Sequence, residues 1–536
     1  MKKHLVALFI LLAPLGCADL DIEPKNGLTG EQAFSDFSGY KSYMAKIYGS
    51  LVLTGNVGPH GDADIKFFAG TEGNVSYIRL LWKLQTQTSE QVLYPWNGPH
   101  ENALQFHEWG SDSEILDIAY TNMYYLISLT NDFLRVSEEL PSGLSNSEIE
   151  TVQEYRHEAR FLRAMAHYHL FDFFRNIPVV TQLGEKPLQT SPREVFEFIE
   201  NELNDLEGLM VSPGQNEYGR VDVASLWMVQ AKLYLNAGVY IGETKYDECI
   251  AACQKVINAG IYSLADNYEE LFMADNHLRR DEIIFAVLQD AVHTQSWGGT
   301  TTFVSGTVGG AMQDNLTPDG RPFPDEALNL YGISSGWDGF RTTSALVEKF
   351  PDVDGSTDRR AMFFTEGQTL EIQDYTIVSQ GYRVPKWKNI EASTGERPAG
   401  GGNPRISSVD FPMYRFADAY LMLAEAEYRN TNTLSAMTLG YLNDIRFRAY
   451  GDESGSISLG DISLDWFLDE RVREFYWEGD RRTDLIRFGK FSGGEYIWPW
   501  KGGVAEGRSI PSHMDIFPIP ARQLLVNSAL EQNPGY

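Results

Sequence analysis

The run VDVASLWMVQAKLYLNAGVYIGETKYDECIAACQKVINAG, from Val221 to Gly260, decides how the rest of the chain must fold. Ala224, Trp227, Met228, Ala231, Tyr234, Leu235 and Gly238 recur at the spacing of one face of an α-helix. Asn236-Ala237-Gly238 supplies residues that end a helix, and Thr244 with Asp247 three residues on predicts a capping box that starts the next. The second helix repeats the pattern with Tyr246, Cys249, Ile250, Cys253, Val256, Ile257 and Gly260. Ala231 and Gly238 are expected to let the two helices approach closely, while Tyr234 and Tyr246 fill the gaps.

A helix pair with this alternation of small and aromatic residues is similar to a tetratricopeptide unit. Such a unit cannot bury its apolar face alone, so stacked neighbours must lie elsewhere in the chain. Helical periodicity recurs over 31–53, 112–140, 155–174, 417–450 and 464–488, and Ser191-Pro192-Arg193-Glu194 opens a further helix running toward Met210. The most regular of these stops at Arg175-Asn176-Ile177-Pro178, because proline cannot continue a helix. A Gly- and Asp-rich stretch occupies 55–73, and 298–339 is rich in Gly, Thr, Ser and Pro, which predicts a long irregular insertion. The expected fold class is mostly α: a tetratricopeptide-like helical-repeat scaffold whose loops form the ligand-binding face.

The 536 residues carry a formal net charge of −30. Nucleic acid demands a basic footprint, so this balance excludes it as a partner and argues against adsorption to anionic lipid. Residues 1–16 have the form of a signal peptide, with Lys2 and Lys3 ahead of an apolar run from Leu5 to Leu15 that is too short to span a bilayer. Cleavage before Cys17 would free that cysteine for lipidation, which anchors a protein without a transmembrane helix. Asp19, Asp21 and Glu23 follow it and resemble a signal for display at the cell surface. The other two cysteines, Cys249 and Cys253, lie on the apolar stripe without a nearby His, and read as buried thiols acting as small hydrophobes.

Five further stretches stand in order along the chain: YRHEARFLRAMAHYHLFDFFRNIPVV (155–180), CQKVINAGIYSL with NYEELF and DEIIFAV (253–287), RFADAYLMLAEAEYR with YLNDIRFRA (415–449), LDERVREFYWEGDRRTDLIRFGKF (468–491) and IFPIPARQLLVNSALEQNPGY (516–536). Together with Cys17 they resemble the SusD/RagB family of outer-membrane nutrient-binding lipoproteins. The resemblance implies a helical region with binding loops over 17–215, and a second region over 216–536 holding the helix pairs and the long insertion. It also implies location at the outer-membrane surface, a TonB-dependent transporter of the SusC kind as partner, and an oligosaccharide or polysaccharide, less often a peptide, as ligand. It implies binding rather than catalysis, with no cofactor.

Sugars present C–H faces that stack on aromatic rings, while amides and carboxylates bond their hydroxyls. Tryptophans in turn-rich loops are therefore the candidate contacts: Trp96 before Asn97-Gly98-Pro99, Trp297 before Gly298-Gly299, and Trp337 before Asp338-Gly339. Asn97, Asn102 and Asp338 are the polar candidates beside them. Thr86 to Glu90 resembles the family segment that precedes its binding-loop tryptophan. Trp82 and Trp109 flank helices and are expected in the core.

Three motifs invite other chemistry. The charged run from Asp469 to Arg487 contains carboxylates that could serve a glycosidase. Each has a base within helical reach, however, which lowers a pKa where a general acid needs it raised, so a salt-bridge network is expected. Gly332-Ile333-Ser334-Ser335-Gly336 matches the nucleophile-elbow pattern, yet Trp337-Asp338-Gly339 is turn chemistry where a helix is required. Asp352, Asp354 and Asp358 stand at calcium-like spacing without the Gly and Glu that complete an EF-hand, so a solvated turn is expected in place of a metal site. The alternatives to glycan binding are a peptide groove, a secreted hydrolase using Ser334 or a carboxylate pair, and a scaffold with no small ligand.

Overall fold

Polar caps set where several of the helices begin. Ser145, Ser191 and Asp222 each accept from the amide three residues on, and Glu148, Glu194 and Ser225 return the bond. The computed structural model describes residues 30–59, 63–66, 76–184, 186–313, 330–400 and 402–536, so Cys17 and the signal segment lie outside the described residues. In chain order, α1 (Gly30–Ala33), α2 (Phe37–Gly49) and α3 (Tyr77–Trp82) lead into a π-helical turn at Lys83–Gln87 and then α4 (Pro99–Gln105). The long pair α5 (Glu114–Val136) and α6 (Asn146–Phe174) is followed by α7 (Pro192–Leu206), α8 (Val223–Leu235), α9 (Ala237–Ile241) and α10 (Tyr246–Asn258). Strand β1 (Ile283–Val287), α11 (Gly299–Thr307) and α12 (Ser344–Val347) precede β2 (Phe411–Arg415). The chain closes with α13 (Phe416–Thr431), α14 (Ala436–Tyr450), α15 (Leu464–Phe475), α16 (Arg481–Arg487) and α17 (Ala521–Val526).

The expected stack is present: α10 packs against both α8 and α13, and α13 against α14. Its details differ from the sequence reading. Every residue of α8 except Trp227 is buried, so this helix is apolar on all sides rather than along one face, as a helix enclosed by neighbours must be. Burying side chains such as Leu226 and Leu233 stabilises this centre by about 1.5–3 kcal/mol each. Asn236 does end α8, its Nδ2 donating to Lys232 O at 2.9 Å, but the chain restarts as α9 and stops only at Gly242, where φ is +74°. Gly238 is exposed with open space beside it, and so makes no close approach. The capping box at Thr244 and Asp247 does not form. Lys245 occupies the cap position of α10, and its Nζ reaches Glu200 at 2.9 Å instead. Cys249 and Cys253 are buried free thiols.

The 298–339 stretch is not irregular throughout, because α11 lies within it and is wholly buried. Its threonines are tolerated there because the interior satisfies their hydroxyls: Thr300 donates to Val409 O at 2.6 Å and Thr302 to Trp297 O at 2.7 Å. The last helical region breaks at Trp477, with φ +65°, and Gly479, with φ +88°. β1 and β2 form an antiparallel pair whose residues are buried almost throughout.

A layer of buried ion pairs fastens α15 and α16 to the scaffold. Arg360 reaches Asp358 at 2.7 Å, Glu470 at 2.8 Å and Glu474 at 3.2 Å. Arg415 reaches Glu282 at 2.6 Å, Glu474 at 3.0 Å and Glu478 at 2.7 Å. Most partners come from other elements, while the expected reach within one helix appears in Arg473–Glu470 and Arg487–Asp484. Burial alone would raise Glu474, but Arg448, Arg415 and Arg360 outweigh it and hold the carboxyl at about 2. Asp480 departs from the expected lowering: its burial raises it despite Lys232, and the carboxylates of Asp418 and Asp484 add to the rise.

Candidate functional site

The C-terminal turn of α11 supplies carbonyls to the Trp337–Phe340 turn. Trp337 N donates to Ser305 O at 2.6 Å, Asp338 N to Val308 O at 3.0 Å, and both Gly339 N (2.9 Å) and Phe340 N (2.7 Å) to Gly306 O. Glycine permits this approach: a Cβ on Gly306 would lie 2.4 Å from the Phe340 ring, and one on Gly336 1.9 Å from Val308 O. Asp338 takes a positive φ of 54° and pairs its carboxylate with Arg383.

Three sequence-predicted tryptophans meet around this turn. The Trp96 ring lies against Gly339, where a Cβ would come within 2.3 Å of its Cζ2, and meets Tyr94 and Phe340 edge-on at 5.5 and 5.8 Å. The rings of Trp297 and Trp337 are 6.2 Å apart at 54°. They are not equivalent. Trp96 and Trp337 are half-buried, whereas Trp297 is only 8% exposed, packed with Ala291 and Ile406, and has the Arg405 guanidinium 4.9 Å above its ring. Arg79 links the pair, donating to Trp297 O at 2.9 Å with its guanidinium 5.7 Å from the Trp337 ring.

Asn97 and Asn102 are in contact. Asn97 Oδ1 accepts from Asn102 Nδ2 at 2.8 Å and from the Tyr375 hydroxyl at 3.2 Å, while Gln105 Nε2 donates to Asn102 Oδ1 at 3.0 Å. The amide oxygen of Asn97 is thus occupied, and the exposed side chain offers its Nδ2 to a ligand. Sequence reasoning missed Tyr375 and, above all, Arg341. This fully buried guanidinium donates to Gly339 O at 3.1 Å, Tyr375 O at 2.7 Å, Ile377 O at 2.6 Å and Gln380 O at 3.0 Å. Its backbone pairs with Leu93, three residues before Trp96. One residue therefore joins three segments of the face, its side chain bonding carbonyls of the Gly339 turn and of 375–380 and its backbone pairing with Leu93, which no local sequence signal records.

The Thr86–Glu90 segment is buried, and Glu90 pairs with Arg481 at 2.5 Å. Trp82 and Trp109 are core residues, as expected. The elbow reading of Ser334 fails: residues 330–332 form a turn and bend, Ile333 is in no strand, and the irregular Ser335–Gly339 segment follows. The three candidate calcium ligands do not converge either. Asp358 gives both oxygens to Arg360, Asp352 accepts from the amides of Gly355, Thr357 and Asp358, and Asp354 from that of Ser356. Among the described residues no group of three or more His, Cys, Asp or Glu is placed to hold a metal ion.

Residues 369–536 match the sequence profile of the SusD family. Starch-binding protein SusD of Bacteroides thetaiotaomicron is 31% identical over 566 aligned positions, covering 97% of this chain and 95% of that protein. SusD-like protein P2 of Formosa agariphila is 23% identical, with both chains covered in full. Of the solved structures, a SusD homolog from Bacteroides thetaiotaomicron aligns with a TM-score of 0.71 at 16% identity, over 95% of this chain and 98% of that one. Surface glycan-binding protein A from the same organism, in complex with laminarihexaose, aligns with a TM-score of 0.67 at 17% identity, over 92% and 99%. An identity of 31% across nearly the whole of both chains, on a fold shared with solved SusD homologs, places this protein in the SusD family.

Proposed function

We propose that this protein is a cell-surface lipoprotein that captures a neutral oligosaccharide or polysaccharide on the Trp96–Trp337 face and passes it to a TonB-dependent transporter of the SusC kind. One observation carries the reading: Trp96, Trp297 and Trp337 gather on a single glycine-built turn beside Asn97, Asn102 and Asp338. Trp96 and Trp337 are the stacking rings, and Trp297 backs Trp337. Stacking with amide hydrogen bonds suits a neutral sugar, which needs no opposite charge. Relatives named for starch binding and for a laminarihexaose complex support the same ligand class. Among the described residues no helix is long and apolar enough to cross a membrane, and we assign attachment to an acylated Cys17.

Native affinity gels containing starch, laminarin and acidic polysaccharides test the reading on the chain without its signal segment. Retention by a neutral glucan is expected, weakened at least about tenfold by Trp96→Ala and by Trp337→Ala, the loss of one stacked ring. Retention by no glycan, or equal affinity in both variants, would overturn it. Gly339→Ala is expected to reproduce the Trp96→Ala loss without removing an aromatic, because its Cβ displaces the ring. Calorimetry on that variant checks the geometry independently of the indole itself.

A further inference from the structure

A cleft of about 370 Å³ opens between the 262–266 segment, α13 and the C-terminal half of α14, and it shares no residue with the tryptophan face. Asp444, Phe447 and Arg448 stand at i, i+3 and i+4 on α14, so one helical face is turned into it, and Gly451 follows at the helix's C-cap. Phe447 is 48% exposed there, an unusual place for a phenyl ring, and Tyr420 forms another wall, held flat against Tyr441 with centroids 4.2 Å apart. Arg359 is fixed at the rim. Its amide donates to Ala449 O at 2.8 Å, and its guanidinium crosses Gly451, where φ is +80° and a Cβ would come within 2.1 Å of Nη2. That places a cation at the C-terminus of α14, where the helix dipole favours one.

The charges of this cleft differ from those around them. Arg360, Arg446 and Arg448 are bound to carboxylates. Among the described residues, neither the Arg359 guanidinium nor the carboxylates of Asp266 and Asp444 makes a hydrogen bond or ion pair. Burial, with Glu453 adding to it, raises the Asp444 carboxyl from its ordinary value. A positioned donor, two open acceptors and an exposed ring together form the chemistry that recognises a polyol: hydroxyls bridge guanidinium and carboxylate while the sugar's C–H face covers the ring. A volume of this size accommodates a small ligand. We propose that the cleft is a second carbohydrate site, taking a short stretch of a neutral glycan. The inference rests on the reading that the protein holds glycans, and it adds that long chains are gripped at two places. Arg448, which also lines the cleft, is neutralised by Glu282 and Glu474, so two unpaired carboxylates against one unpaired guanidinium disfavour anionic glycans here.

Linking two sites through one polymer raises its apparent affinity, whereas a short oligosaccharide gains nothing. The test compares laminarin and starch with their hexasaccharides, using wild type, Phe447→Ala with Asp444→Asn, Trp96→Ala with Trp337→Ala, and the combination of all four. Phe447 is exposed and Asp444 unpaired, so the cleft variant retains the fold; its circular dichroism and unfolding midpoint check this. The cleft variant is expected to lose about tenfold in affinity for the polymer, with hexasaccharide affinity changed by less than about twofold. The tryptophan variant should keep weak polymer binding that the combination abolishes. Unchanged polymer affinity in the cleft variant, or no residual binding in the tryptophan variant, overturns the second site and leaves the tryptophan face standing. If wild type binds neither glucan, both readings fall together.

Discussion

Replacing Arg360 with methionine is expected to lower the stability of this protein by about 3–5 kcal/mol, the usual consequence of stranding a buried charge. Arg360 is wholly enclosed and serves Asp358, Glu470 and Glu474. The last two keep other guanidinium partners, Glu470 with Arg446 and Arg473, and Glu474 with Arg415 and Arg448. Asp358 does not: both its side-chain bonds to a cation run to Arg360, and its carboxylate is fully buried. The cost therefore falls mainly on one identifiable group, and Arg360→Met with Asp358→Asn should recover a substantial part of it. Urea unfolding midpoints of the two variants measure this directly. A single variant within about 1 kcal/mol of wild type would show that water or a rearranged side chain compensates the charge, against the enclosed geometry. Each carboxylate that Arg360 touches is committed to a cation, as the salt-bridge expectation requires.

How far the sequence could be read followed from where each signal resides. Helices α6, α10, α13 and α14 were legible because their apolar residues recur with helical period. Helix α11 was not, since its Gly, Thr and Ser content matches a loop and its buried hydroxyls find partners as distant as Val409. The face was legible in part. Trp96, Trp297 and Trp337 announce themselves by standing among turn residues, but nothing local says that Trp297 turns inward beneath Arg405. Arg341 left no trace in the sequence, because its partners are backbone carbonyls, which every residue carries.

The second large effect concerns pH. Asp410, buried at the entrance to β2, accepts from Gln289 N at 2.9 Å. Burial pushes its carboxyl up to about 7, with Asp290 pushing further while the Gln289 amide and the Tyr218 hydroxyl pull it back. The unfolded chain releases this proton near the ordinary value of 3.8, whereas the folded chain holds it to about 7. Between those values the native state binds the extra proton, so stability falls as pH rises, by about 1.4 kcal/mol per pH unit and about 4 kcal/mol in all, and levels off above 7. Glu474 works in the opposite sense: held at about 2, it contributes above pH 4.5, its unfolded value, and that contribution disappears as pH falls toward 2. Asp410→Asn keeps an acceptor for Gln289 and removes the titration. The variant is expected to lose the decline between pH 4 and 7, becoming more stable than wild type at pH 7.5, while the acid arm set by Glu474 and its neighbours stays common to both. Unfolding free energies measured across pH 3–8 decide the matter, and parallel curves from pH 4 to 7 would sink the assignment. The same data bear on the binding face, because Gln289 also accepts from Thr300 N at 2.9 Å at the start of α11, the helix whose far end holds the Trp337 turn.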